Sequence, residues 1–195
     1  MKHKETCIVL AAGASSRMGT NKMLLPWNYT TVLGQVLNNV IEAGFEPHVV
    51  LGNMYKEIEA SISGYIDTIT IVVNSRWQDG MLSSIQAGLR SVDYGDTFVL
   101  HGDMPLVRSG ILREIDERFR QPDCDGYEAL FPSYKGQSGH PVLLRGAVFE
   151  PILALPSAEK LNPFLKTRHW HSVDFSYPEV CLDIDTRKDY LQFQP

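Results

Sequence analysis

The sequence predicts an α/β protein built on a mostly parallel, doubly wound sheet. Three observations lead there. Apolar runs of strand length alternate with stretches of helical periodicity from residue 6 to about residue 100, a β-α-β-α-β-α-β order. The first apolar run ends abruptly in a loop of small residues, the place where open α/β sheets bind ligands. The chain is also long enough, at 195 residues and 44% hydrophobic, for one domain over residues 1–195 with a real core.

Each element has its own signal. Residues 6–10 are an apolar strand. Val32, Val36, Leu37, Val40 and Ile41 recur at helical spacing, and Gly44 supplies a stop. Residues 48–51 form a second strand, 55–62 a short amphipathic helix, and the β-branched run 69–73 a third strand. Leu82, Ile85, Leu89 and Val92 make a helix, and residues 97–100 a fourth strand. Ile111, Ile115 and Phe119 give another helical stripe. Beyond it the order is less regular: strands at 129–131 and 141–144, helices at 148–155 and 160–166, a strand at 180–184 closing the sheet, and a terminal helix at 188–193. An antiparallel strand or an insertion is expected in this half.

Composition narrows the function. A net charge of −5 argues against a nucleic-acid coat or a membrane surface. The three cysteines, Cys7, Cys124 and Cys181, have no metal-ligand spacing, which suits a reducing, cytoplasmic setting. The apolar stretch near the N-terminus is too short for a signal peptide, and no run is long enough to span a bilayer.

The loop after the first strand carries the strongest chemical signal. Ala11, Ala12, Gly13 and Ala14 lack bulk, so a ligand can approach their backbone, and curling N–H groups make an anion nest. Arg17 and Lys22 add a planar fork and a point charge. The P-loop pattern fails here: Gly13 and Gly19 are one residue too far apart, and no Lys-Ser or Lys-Thr follows. A Rossmann G-x-G-x-x-G is absent as well. A phosphate site that is neither a P-loop ATPase nor a dinucleotide dehydrogenase is the reading left.

Other constellations surround it. Asp103 emerges at the end of the fourth strand, before Pro105, where a carboxylate can hold Mg²⁺ or cap the next helix. Asn74 ends the third strand, and Gly80 opens a helix whose N–H groups, with Ser83 or Ser84, can meet a base or phosphate or serve only as a cap. Trp77, in the same loop, can stack on a ring or pack. Gly139 frees the backbone before His140 and Pro141. Asp183 and Asp185 alternate with Leu182 and Ile184, so on a strand both carboxylates share one face, and a metal would compensate their repulsion. Asp185 or Thr186 alternatively caps the last helix. His169 and His171 read as sheet or surface residues.

The stretch Leu-Ala-Ala-Gly-x-Ser-x-Arg-Met-Gly-x-x-Lys at residues 10–22 resembles the signature of nucleotidyltransferases that activate small phosphorylated molecules with an NTP. Among them it is most similar to the molybdenum cofactor guanylyl- and cytidylyltransferases, and nearest the cytidylyl branch, whose guanylyl relatives more often carry Gly where this chain has Ala12. The resemblance continues through Gly102-Asp103-Met104-Pro105, the Gly-Met-x-x-Ser-Ile stretch from Gly80, the segment around Gly139 and His140, and Asp-Ile-Asp-Thr at 183–186. It departs at Ser138, where the family usually has Arg, and at Arg187, where proline is usual.

The resemblance implies a three-layer Rossmann-like nucleotide-diphospho-sugar transferase fold with a mostly parallel mixed sheet. It implies transfer of CMP from CTP to molybdopterin carrying molybdenum, with release of pyrophosphate. Leu10, Ala11, Ala12, Gly13, Ala14, Ser15, Arg17, Lys22, Asn74, Gly80 and Ser84 would bind the nucleotide; Lys22, Arg17 and Asp103 would act in catalysis; Asp103 with Asp183 or Asp185 would hold Mg²⁺; Gly139 and His140 would face the acceptor. A molybdenum hydroxylase is the implied recipient of the product. The alternatives are GTP in place of CTP, a sugar or polyol phosphate as acceptor, and a nucleotide-binding accessory protein without transfer, against which the joint presence of Arg17, Lys22, Asp103 and Asp185 argues.

Overall fold

Strand β1 (Thr6–Ala11) lies in the middle of the sheet because both of its faces are apolar. Cys7, Val9 and Ala11 point into one core, and Ile8 and Leu10 into another. The computed structural model describes residues 5–14, 20–93, 95–156 and 159–195.

A small hairpin, β2 (Pro26–Trp27) and β3 (Thr30–Thr31), precedes helix α1 (Val32–Glu42), whose N-cap Thr31 accepts from the Gly34 N–H at 3.1 Å. There follow β4 (Glu46–Leu51), α2 (Tyr55–Ser61), β5 (Thr70–Val73), α3 (Met81–Leu89), β6 (Thr97–His101) and α4 (Ser109–Phe119). The second half adds β7 (Ala129–Tyr134), β8 (Gln137–Ser138), β9 (Val142–Leu144), α5 (Phe149–Leu153), α6 (Leu161–Leu165), β10 (Trp170–Asp174) and α7 (Arg187–Phe193).

The strand order is β10-β7-β9-β6-β1-β4-β5, with β8 paired to β7. β6, β1, β4 and β5 run parallel, as do β7 and β10, while β9 is antiparallel to both its neighbours. Residues from α1, α2 and α4 join the core on one face, and residues from α3, α5 and α6 the core on the other. The result is the three-layer, mostly parallel mixed sheet that the sequence predicts, with β9 as the expected antiparallel strand. Among the described residues, no helix is long and apolar enough to cross a membrane.

Two elements differ from the sequence expectation. Residues 180–184 do not close the sheet; β10 does, paired in parallel with β7. Pro178–Cys181 is a 3₁₀ turn, and residues 182–185 form no ladder. The alternation there is real but serves a crossing. Ile184 is buried in a satellite cluster with Trp27 and Val32, and its N–H donates to the Asp103 carbonyl at 2.9 Å. The segment therefore lies across the strand ends. The helix expected over 148–155 is likewise shorter, a 3₁₀ turn followed by α5.

Candidate active site

The carboxyl ends of β1 and β6 open into a cavity of about 500 Å³. Leu10, Ala12, Gly13 and Ala14 form one wall of it. Ala11 points the other way, fully buried in the core. Ser15 and Arg17 lie outside the described residues.

Lys22 reaches this cavity because its neighbours fix the turn beneath it. Asn21 is buried, and its Oδ1 accepts from the Met23 N–H at 3.1 Å, capping the 3₁₀ turn Lys22–Leu24. Met23 is buried in the core, which leaves Lys22 facing the cavity. Asp103 arrives from the other side. The Gly102 N–H donates to the Leu10 carbonyl at 2.9 Å, extending the β1–β6 ladder by one residue. The Asp103 carbonyl then anchors the segment carrying Asp183 and Asp185. Thr186 begins α7 with a capping box to Asp189, so Thr186 rather than Asp185 is the cap, and Arg187 is the first helical residue.

Asp103, Asp183 and Asp185 thus converge, with one carboxylate oxygen from each lying within 4.8 Å of the others. Lys22 sits among them. Its Nζ is 2.7 Å from Asp185 Oδ1 and pairs with Asp103 Oδ2. Burial works against the ammonium, yet Asp103 and Asp185 outweigh it and raise its pKa. Partial burial, then Asp185 and Asp103, push the Asp183 carboxyl above its usual range. Asp103 Oδ1 is buried with no hydrogen-bond partner among the described residues. A buried carboxylate oxygen in that state suits a hard cation.

The far wall comes from the loop before α3. Trp77, Gln78, Gly80, Met81 and Ser84 all line the cavity. Gly80 stands at φ +100°, a conformation that releases the chain into α3. Asn74 plays a different part: it is buried and lines neither this cavity nor the next, and its Nδ2 donates to Ser83 Oγ at 2.9 Å and Ser84 Oγ at 3.0 Å. It fixes the serines rather than facing the space.

A second cavity of about 500 Å³ adjoins the first and shares Gly80, Met81 and His101 with it. Its floor is apolar, with Ile85, Val99, Val142 and Leu165, and His140 faces into it. The His101 and His140 rings lie 4.1 Å apart between centroids. Burial, reinforced by Lys22, lowers the His101 pKa to about 4. Burial, reinforced by His101, lowers that of His140 to about 3. Both rings are neutral at pH 7. Gly139 lines neither cavity; it is buried against Val180. His101 was not assigned a role from sequence, although its place immediately before Gly102-Asp103 at a strand end was the available signal.

The model of the MobA-like NTP transferase domain matches residues 7–173. The molybdenum cofactor cytidylyltransferase of Escherichia coli K12 is 32% identical over 95% of this chain and 93% of its own length. A nucleotidyl transferase from Methanothermobacter thermautotroptrophicus superposes with a TM-score of 0.82 at 26% identity, covering 98% of this chain and 96% of that one. The Rv0371C protein of Mycobacterium tuberculosis H37Rv, solved in complex with manganese, gives a TM-score of 0.75 at 28% identity over 98% of each chain. The glycine-bearing loop, the strand-end carboxylates and these likenesses converge on one conclusion: the chain belongs to the MobA-like NTP transferase family and is a nucleotidyltransferase.

Proposed function

We propose that residues 1–195 act as one nucleotidyltransferase domain that transfers CMP from CTP to molybdopterin carrying molybdenum, with Mg²⁺, releasing pyrophosphate. The observation that carries this reading is the meeting of Gly13, Lys22 and three carboxylates around one cavity, with a buried oxygen on Asp103 that has no partner among the described residues. The 32% identity to a cytidylyltransferase supports CTP over GTP.

The chemistry needs alignment and charge balance rather than a protein nucleophile. An acceptor phosphate oxygen bonds to the α-phosphorus of CTP as the bond to pyrophosphate breaks, and the leaving group keeps that electron pair. Mg²⁺, when bound by Asp103 with Asp183 or Asp185, supplies Lewis-acid neutralisation of the phosphate oxygens. The N–H groups from Ala12 to Ser15, with Arg17, hold the outer phosphates. Lys22 balances charge at the transferred phosphate. Trp77 and Ser84 bound the space for the base, and the apolar second cavity beside the neutral His101–His140 pair receives the acceptor ring. The product would pass to a molybdenum hydroxylase.

Pyrophosphate release, measured with Mg²⁺ and each of the four NTPs against molybdopterin and against sugar phosphates, tests the reading. CTP with molybdopterin should be preferred; release with a sugar phosphate alone would overturn the acceptor, and GTP preference the donor. Lys22→Ala should lower turnover by about a hundredfold or more, and should also lower the melting temperature because Asp103 and Asp185 lose their counter-ion.

A further inference from the structure

The ammonium of Lys22 is paired with two of the three residues that would hold a metal ion. It pairs with Asp103 Oδ2 and lies 2.7 Å from Asp185 Oδ1, and these two residues belong to the cluster whose carboxylate oxygens converge within 4.8 Å. The pairing is well shielded: the Lys22 side chain is 13% exposed and that of Asp103 9%. A divalent ion arriving at those oxygens would meet a like charge already on them, in a partly dry setting where repulsion is weakly screened.

We propose that Lys22 is a built-in counter-ion that competes with the divalent cation for Asp103 and Asp185, so that metal alone binds weakly and binds tightly once a triphosphate draws Lys22 away. This rests on the reading of the first cavity as the NTP site. Three features carry it. The same side chain lines the cavity wall that includes Gly13 and Ala14, so a ligand in that cavity lies within reach of its four-carbon stem. Among the described residues Asp103 Oδ1 has no partner while Oδ2 is held by Lys22, so the carboxylate keeps one oxygen ready for a cation but has its other engaged. Among the described residues three carboxylates converge beside this ammonium, so the cluster still attracts a stronger cation once Lys22 has another anion to pair with. By reciprocity, nucleotide and metal then tighten each other's binding, and metal alone binds weakly.

The device also suits the chemistry. Until nucleotide arrives, Lys22 shields the carboxylates from one another. Once it has moved, it is placed to balance the phosphate charge. One residue thereby links loading of the metal to presence of the donor.

The test is Mn²⁺ binding to the full chain without nucleotide, followed by electron paramagnetic resonance. Lys22→Met keeps an apolar stem and removes the charge; its Mn²⁺ dissociation constant should fall by about tenfold or more relative to wild type. Lys22→Arg keeps the charge and should stay within about threefold of wild type. A Lys22→Met protein that melts cooperatively yet binds Mn²⁺ no more tightly overturns the proposal. Should that variant not fold, amine labelling of the wild type decides: saturating Mg²⁺ without nucleotide should raise modification of Lys22 by an N-hydroxysuccinimide ester, and unchanged labelling at saturation overturns it. Neither measurement needs CTP, so failure of the proposed transfer would appear separately, as absent pyrophosphate release with the Mn²⁺ behaviour intact.

Discussion

A Cβ placed on Gly52 would lie 2.5 Å from the Cβ of Trp77 and 2.9 Å from that of Ala12. The glycine after β4, the indole and the loop after β1 are therefore fitted to one another at the wall of the first cavity. The Asn53 N–H, donating to the Ala12 carbonyl at 3.1 Å, locks the same corner.

Gly52→Ala should push Trp77 away from that corner. Overpacking of this kind costs about 1–3 kcal/mol, and a chain of this length loses about 2–4 °C of melting temperature per kcal/mol. Because Trp77 bounds the proposed nucleotide space, the CTP dissociation constant should rise by about tenfold, a loss of about 1.4 kcal/mol. Thermal denaturation and calorimetric titration check both. Wild-type values for the two would show that the indole does not depend on the missing Cβ.

The paired histidines predict how stability depends on pH. In the unfolded chain each titrates near 6.5. Folded, His101 titrates near 4 and His140 near 3, so each is a group whose folded pKa is depressed. Such a group contributes stability that is present above its unfolded pKa and lost as pH falls, because only the unfolded state takes up the proton. Between pH 7 and pH 5 each histidine should remove about 2 kcal/mol. His48, lowered in the same direction by burial, adds to the slope. Urea denaturation of wild type and His140→Gln at the two pH values isolates one share: the variant should lose about 2 kcal/mol less than wild type. Equal losses would mean that folding does not lower the His140 pKa.

What could be read from sequence followed from local periodicity. β1, β4, β5 and β6 have continuous apolar or β-branched runs, and the helices between them have plain stripes, so the parallel half was legible. The small residues from Ala11 to Ala14 marked the ligand loop because strand-end position and lack of bulk are both local properties. The edge strand was not legible. Trp170–Asp174 mixes polar and apolar residues as exposed edges do, while residues 182–185 alternate cleanly yet lie across the strand ends. The meeting of Asp103 with Asp183 and Asp185 depends on that crossing, and so does the engagement of Lys22. Asn74 read as a ligand because its place after β5 is suggestive; only its bonds to Ser83 and Ser84 reveal a supporting role.

Gly139 gives a third prediction, and it concerns packing rather than contact with substrate. A Cβ there would collide with the Val180 carbonyl oxygen and lie 2.6 Å from its carbonyl carbon. The same carbonyl accepts the His140 N–H at 2.8 Å, and the Gly139 N–H donates to the Pro132 carbonyl at 2.7 Å. Gly139→Ala should therefore break the fit that sets His140 in the second cavity. The melting temperature should fall by about 4 °C or more, as for a backbone clash that must be relieved by movement. The acceptor KM should rise while the CTP dissociation constant stays near wild type. An unaltered melting temperature would show that Val180 gives way freely.

Asp183 and Asp185 should respond with opposite signs when neutralised. Asp185 is engaged by Lys22 at 2.7 Å, whereas the Asp183 carboxyl is pushed up by burial and by its two acidic neighbours. Among the described residues, Asp183 is thus the carboxylate whose charge its surroundings oppose most. Asp183→Asn removes repulsion without removing the ion pair, so its melting temperature should rise by about 1–2 °C. Asp185→Asn leaves Lys22 with one carboxylate fewer, so its melting temperature should fall by about 1–3 °C. Both variants should weaken Mn²⁺ binding by about tenfold or more if each carboxylate meets the metal. A variant that binds Mn²⁺ as the wild type does identifies the aspartate that stays off the ion. Melting temperatures that move in the same direction would refute the charge assignment. A gain in stability bought with lost metal affinity is the expected mark of a residue kept for chemistry rather than for folding.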